Sequence, residues 1–326
     1  MRLAKPSAFA ARLTTALLIT VLGSGCLEYT LDTTLRDDGS GVRETRLELT
    51  GHDDIDLSAD DFRRLTHVSE AEGWEHRVRL DDDGDTVHVF VRALRIGALR
   101  DWERASGTFL IDGAVEQRAA ADRDRPVRFQ NRIAVRRTEE SGGSVGFELR
   151  ETFSWTGAID AMVSFFVDDL DRRLGEQLPG LSAAGRGEIV GMTRARLSDA
   201  VRDGLLLGES DQEEALADLA RRTAQEAVSG RRAGAALPTE AQVEAVLLET
   251  FADAEERLTD YVEQRFPGIL LAVNSEVVYR LRLPGTILRT NADETEDGAL
   301  VWRFSPADAL TAPIEIVAVS RLQDGK

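Results

Sequence analysis

The side chains with the widest chemical reach in this 326-residue chain are its four histidines and its 58 acids. His76 and His88 fall on opposite arms of one expected hairpin, placed to face each other, and His52 lies beside Asp53 and Asp54. Together with His67 these are the residues from which a metal site would be built. Histidines this scattered read instead as surface residues, and no metal is assigned. The runs Asp81 to Asp85 and Asp293 to Asp297 offer the clustered oxygens a calcium ion wants. Neither has the full loop spacing or a distal bidentate glutamate, so both read as exposed hairpin turns. Gly185-Arg186-Gly187-Glu188-Ile189-Val190-Gly191 is one residue too long for a dinucleotide loop and follows no strand, which makes it a helix start. The chain has no His-Glu-x-x-His or Ser-x-x-Lys. Its carboxylates are too numerous for one catalytic pair to stand out. The expectation is a binding protein with no enzymatic activity and no cofactor; the alternative is a tethered hydrolase using carboxylate or metal chemistry.

Cys26 is the single cysteine, so no internal disulfide can form. It follows a positive segment carrying Arg2, Lys5 and Arg12, then a short apolar core from Leu13 to Leu22, then small residues. That is the order of a secretory signal over residues 1–25, and the core falls far short of the ~20 residues of a spanning helix. Leu22-Gly23-Ser24-Gly25-Cys26 resembles the lipobox of bacterial lipoproteins, with Gly23 where a large aliphatic is usual. The resemblance implies a diacylglycerol on the Cys26 thiol and an acyl group on the new amine. Several chains anchor more firmly than one, since each buried methylene adds ~0.8 kcal/mol. In the same pattern, Leu27 rather than aspartate after the cysteine favours the outer membrane. The expected location is the bacterial cell envelope, facing the periplasm or cell surface.

The formal charge is −18, and cutting the signal removes three positive charges and no acid. Such a surface repels phosphate backbones and anionic headgroups overall, so nucleic acid is not an expected partner. The expected partners are the membrane, through the lipid anchor, and a lipid or protein of the envelope.

The elements that position these residues begin at once. Leu27, Tyr29, Leu31, Thr33 and Leu35 alternate. Asp37 to Gly41 turns, and Val42 to Leu49 resumes with Val42, Thr45 and Leu47 among polar residues. A short helix capped by Ser58 carries Phe62, Leu65 and Val68 inward and stops at Gly73. The pattern recurs weakly: Trp74, His76, Val78 and Leu80, an acidic turn, then Val87, Val89, Val91 and Ala93, then a helix at Ala98 to Ala105 with Leu99 and Trp102 inward. A third hairpin joins Val127–Arg137 to Val145–Trp155; its less regular alternation reads as a bulge.

At Gly157 the apolar period changes to three and four. Helices are expected from Ile159 to Leu178, Arg186 to Leu207 and Gln212 to Val228. The longest runs from Glu240 to Phe266, behind Pro238 and a Thr239 cap. Ile159, Met162, Val163 and Phe166 form a wide apolar face. Its plain reading is a helix packed on a sheet. The sharper one is a hydrophobic cleft for an acyl chain or a partner's helix, which makes these four the candidate ligand-binding residues. Strands return with Val277, Tyr279, Leu281 and Leu283, then Ile287 to Thr290, Leu300 to Phe304 and Ile314 to Arg321.

The expected fold is α+β, a mostly antiparallel sheet of N- and C-terminal strands with an inserted block of about four helices. By residue it divides into a signal (1–25), a β-rich part with ββα units (26–156), a helical insertion (157–268) and closing strands (269–326). The lipobox, the Asp38-Gly39-Ser40-Gly41 hairpin, and the late Leu283-Pro284-Gly285, Asn291, Gly298, Trp302 and Ala318 resemble the LppM-type bacterial envelope lipoproteins and related domains. The match covers the first strands and the last fifty-odd residues. It implies a surface-tethered α+β domain and, from some members, contact with glycolipid. A C-terminal membrane helix, common in related members, is not found here.

Overall fold

The computed structural model describes residues 27–50, 63, 66, 68–82, 84–111, 127–139, 145–203, 212–229, 238–252, 257, 258, 260, 261, 272, 273 and 275–322. Cys26, His52, His67 and most of the helix expected after Ser58 lie outside them. Two compact units emerge, one of strands at both ends of the chain and one of helices between.

In the β unit the alternating run becomes β1 (Leu27–Leu35), its odd-numbered residues all buried. It pairs antiparallel with β2 (Gly41–Thr50) across a turn where Gly39 has φ +82°. The buried phase of β2 is Gly41, Arg43, Leu47 and Leu49; Val42 takes the other face. A Cβ on Gly41 would meet Thr34 O at 2.3 Å and the Trp102 ring at 2.4 Å, so glycine is required there. β3 (Glu75–Leu80) and β4 (Thr86–Ile96) add to β2 in the order β2-β4-β3. Because β3 is an edge, Val78 and Leu80 stand 58% and 67% exposed despite their alternation.

β8 (Glu276–Arg282) lies parallel to β1, and β10 (Glu294–Glu296) and β11 (Ala299–Phe304) complete a seven-stranded sheet. The second sheet runs in the order β5 (Gly107–Ile111), β6 (Arg128–Glu139), β7 (Val145–Thr156), β12 (Ile314–Arg321) and β9 (Thr286–Thr290). The α+β class holds, with two mostly antiparallel sheets where one was expected and with the strand β5 unforeseen. Aromatic rings fill the space between the sheets. Phe153 of β7 meets Tyr279 of β8 edge-on at 6.2 Å and Phe304 of β11 at 5.0 Å.

The helical unit holds α1 (Ala158–Gln177), α2 (Ala183–Arg202), α3 (Gln212–Ser229) and α4 (Glu240–Ala252). α1 packs on α2 and α4, α2 on α3, and α3 on α4. Val163, Val167, Leu170 and Leu174 step at four, three and four, which places all four on the one buried stripe of α1. Ser182 caps α2 by accepting from Gly185 N–H at 3.1 Å, so the glycine run is a helix start. Thr239 and Gln242 form a reciprocal cap on α4. Among the described residues, no helix is long and apolar enough to cross a membrane.

Candidate functional site

The polar centre of the β unit sits where alternation on three strands is interrupted. Arg43 of β2 and Glu151 of β7 both point between the sheets, their side chains 3% and 0% exposed. They pair through both guanidinium ends: Nη1 to Oε2 at 2.7 Å and Nη2 to Oε1 at 2.8 Å. Asn131 of β6 donates a third hydrogen bond to Glu151 Oε1. Asn131 also donates to Ala105 O at 3.2 Å and accepts from Gly107 N–H at 2.6 Å. The Arg43 guanidinium lies 5.5 Å from the centre of the Tyr279 ring. Burial works against the arginine's charge, but the Glu151 carboxylate outweighs it and raises the Arg43 pKa. Burial, then the neighbouring carboxylate, pushes the Tyr279 phenol well above its usual range.

The third hairpin therefore has no bulge. β6 and β7 keep an unbroken register from Arg128↔Thr156 to Glu139↔Val145. What looked like a slipped pattern is two inward positions filled by Asn131 and Glu151.

A 3-10 turn over Leu99–Ala105 sets the mouth of this region. Trp102, fully buried as expected, donates its indole N–H to Gly39 O at 3.0 Å and pins the turn beneath the β1–β2 connection. Ser106 Oγ accepts from Ile133 N–H at 3.0 Å. Between this corner and the β2–β4 face opens a cleft of about 60 Å³. Arg43, Arg92 and Arg104 line it with Thr45, Ser106, Thr108 and Asn131, and Leu47, Trp74, Leu94 and Phe109 supply apolar wall. The register pairs Arg43 with Leu94 and Thr45 with Arg92, which brings Arg92 onto the Arg43 face. None of the arginines was singled out from sequence. The signal was there in the broken alternation at positions 43, 131 and 151, taken together rather than strand by strand.

The residues singled out from sequence fall elsewhere. His76 and His88 do meet, His76 Nε2 to His88 Nδ1 at 3.0 Å, with His76 stacked on Phe90 at 4.4 Å. Arg63 donates to His76 Nδ1 at 3.0 Å. That donor fixes His76 as the Nε2–H tautomer, which in turn donates to His88. Burial, then the Arg63 charge, lowers the His76 pKa. Among the described residues no three His, Cys, Asp or Glu side chains converge to hold a metal. In the acidic turns, Asp81 accepts from Asp85 N–H at 2.8 Å, while Glu294 and Glu296 each pair with Arg303 at 3.0 Å. Of the apolar helical face, Val163 is core, Ile159 and Phe166 pack against that core, and Met162 is half-buried. Phe166 touches Phe251 edge-on at 6.1 Å.

No protein-family model matches the chain, and no curated protein matches its sequence. Among solved structures the chain is similar to the folded domain of Mycobacterium tuberculosis LppM, determined by NMR. The alignment covers 92% of this chain and 91% of that one at 10% identity, with a TM-score of 0.30. At that level the site must be read from this chain's own geometry. The residues that carried the resemblance in sequence hold the two sheets in place. Asn291 Oδ1 accepts from Trp302 Nε1 at 3.1 Å and from Val317 N–H at 2.8 Å, and Gly285 has φ +83° with Arg321 O only 2.0 Å from where a Cβ would stand.

Proposed function

We propose that the chain is a lipoprotein of the bacterial cell envelope, anchored through Cys26 and facing the periplasm or cell surface, with the outer membrane favoured. Its β unit binds a lipid there without chemistry. Leu27, the residue after the anchor, is buried and opens β1, so the anchor holds this unit at the membrane with no spacer.

The observation that carries the reading is the cleft, with an apolar wall of Leu47, Trp74, Leu94 and Phe109 facing hydroxyls and arginines. That suits a ligand that is part apolar and part polar. Its floor supports binding over hydrolysis. Glu151 already accepts two hydrogen bonds from Arg43 and one from Asn131, so it is not free to serve as a general base. The cleft replaces the Ile159, Met162, Val163 and Phe166 face as the preferred ligand site, because Val163 and its neighbours are spent on the helical core.

Native mass spectrometry of the exported protein in detergent tests both halves. The expected result is a mass increment from acyl groups, absent in Cys26→Ala, together with a co-purifying lipid of defined mass. A clean apo mass after envelope lipids are added would remove lipid binding.

A further inference from the structure

The chain carries 58 acids against 40 basic residues, yet the described residues lining the cleft include three arginines and no acid. Some arginines elsewhere on the β unit pair with carboxylates, as Arg79 does with Glu48, Arg150 with Glu148 and Arg303 with Glu294 and Glu296; others, such as Arg95, Arg132 and Arg136, stand unpaired among the described residues on open strand faces outside the cleft lining. Arg92 and Arg104 form no ion pair among the described residues. Arg43 is neutralised by Glu151, so among the described lining residues the uncompensated charge is that of Arg92 and Arg104. The lining hydroxyls can each donate one hydrogen bond as well as accept. The hydroxyls of Thr45, Ser106 and Thr108 line the wall, and Arg43 spends two of its five N–H groups on Glu151. A hollow of this size holds on the order of four waters at ~15 Å³ each, room for one tetrahedral anion.

We infer that the cleft takes a phosphate-type oxyanion, gripped by Arg92 and Arg104 and seated on the donors around Arg43. The inference rests on the lipid-binding reading for the anion's source: a phospholipid headgroup satisfies both, a free phosphate only the anion site. Guanidinium groups suit this partner because their planar donors match phosphate oxygens.

The test titrates the full chain, in nonionic detergent, with inorganic phosphate, dihexanoyl phosphatidylglycerol and headgroup-free dihexanoylglycerol, by calorimetry. The proteins are wild type, Arg92→Gln/Arg104→Gln, and the control Arg136→Gln on an exposed position of β6. Near-UV circular dichroism checks that each is folded. Phosphate and phosphatidylglycerol should bind, each at least about tenfold more weakly in the double variant and unchanged in the control. Dihexanoylglycerol should bind more weakly than the phosphatidylglycerol. Phosphate binding that needs the arginines, with neither lipid bound, keeps the anion site and removes the lipid reading. Equal binding of both lipids, unaffected in the double variant, overturns the anion site and leaves lipid binding standing. Failure of every probe overturns both.

Discussion

Among the described residues, each unit buries one carboxylate against arginine, and the two are built differently. Asp169 of α1 is held by Arg172 at 2.6 Å and Arg173 at 2.9 Å, three and four residues along the same helix, and by Arg257 at 2.8 Å. Its partners reach water: Arg172 and Arg257 are 53% and 33% exposed. Glu151 has one arginine, 108 residues away in sequence, and both ends of the pair are sealed. The first arrangement is a local brace at a helical surface. The second spans two sheets and fixes how they face, because no other register brings the fork of Arg43 onto Glu151. Buried pairs rarely add net stability over an apolar equivalent, so the cost of keeping this one needs another return. Holding the floor of a polar cleft is that return.

The contrast can be broken most sharply at Glu151. Glu151→Gln leaves Arg43 charged and unpaired and should cost about 3–5 kcal/mol in urea denaturation. The double variant Arg43→Met/Glu151→Leu should recover most of that loss while removing the cleft's polar floor. Asp169→Asn should cost less, about 1–2 kcal/mol, since the arginines it releases can turn to solvent. Burial disfavours the Asp169 charge, but hydrogen bonds from Arg257, Arg172 and Arg173 outweigh it and lower its pKa. The stability it contributes is therefore present above the ordinary carboxylate range and is lost as pH falls through the lowered value. Acid should loosen the helical unit in wild type and have less effect in Asp169→Asn, read by far-UV circular dichroism.

A third effect is confined to the β3–β4 hairpin. The chain of donors from Arg63 through His76 to His88 holds only while both imidazoles are neutral, and Glu70 is the acid that acts against the cationic neighbours. Because the folded His76 pKa lies below its ordinary value of 6.5, this stability is full above that pH and lost as pH drops beneath it. Amide exchange in β3 and β4, corrected for intrinsic rates, should quicken between pH 7.5 and 5 in wild type and change little in His76→Gln. The smallest effect is at Tyr29, whose buried hydroxyl has no hydrogen-bond partner among the described residues. Tyr29→Phe should shift stability by no more than about 0.5 kcal/mol, or raise it slightly, by thermal unfolding.

The same contrast explains what the sequence made legible. The stripe Val163, Val167, Leu170, Leu174 and the caps at Ser182 and Thr239 are local facts, so the helices could be placed from spacing alone. The strands of β1 and β12 could be placed for the same reason. The Arg43–Glu151–Asn131 cluster depends on three strands being brought together, and each strand alone shows only one polar residue in an apolar phase. Read singly, those residues suggest a bulge in β6–β7, which does not occur. Splitting the strands into two sheets was likewise hidden, because it is decided by the parallel pairing of β1 with β8 and by β9 joining β12.

That parallel pairing also sets a timetable. Strand β1 is among the first segments of the described chain, and its partner β8 begins at Glu276. On the export route proposed above, a chain threaded from its N-terminus presents β1 some 240 residues before β8 arrives, with the helical unit passing between. Strands β1 to β4 can pair with one another early, but β8, β10 and β11 cannot join them until almost all of the polypeptide has crossed. The helical unit, whose contacts lie within 157–261, can assemble while the remainder is still in transit. On that route the two halves should mature in the reverse of the order in which their first residues emerge, with the β8-facing edge of β1 unpaired until β8 reaches it.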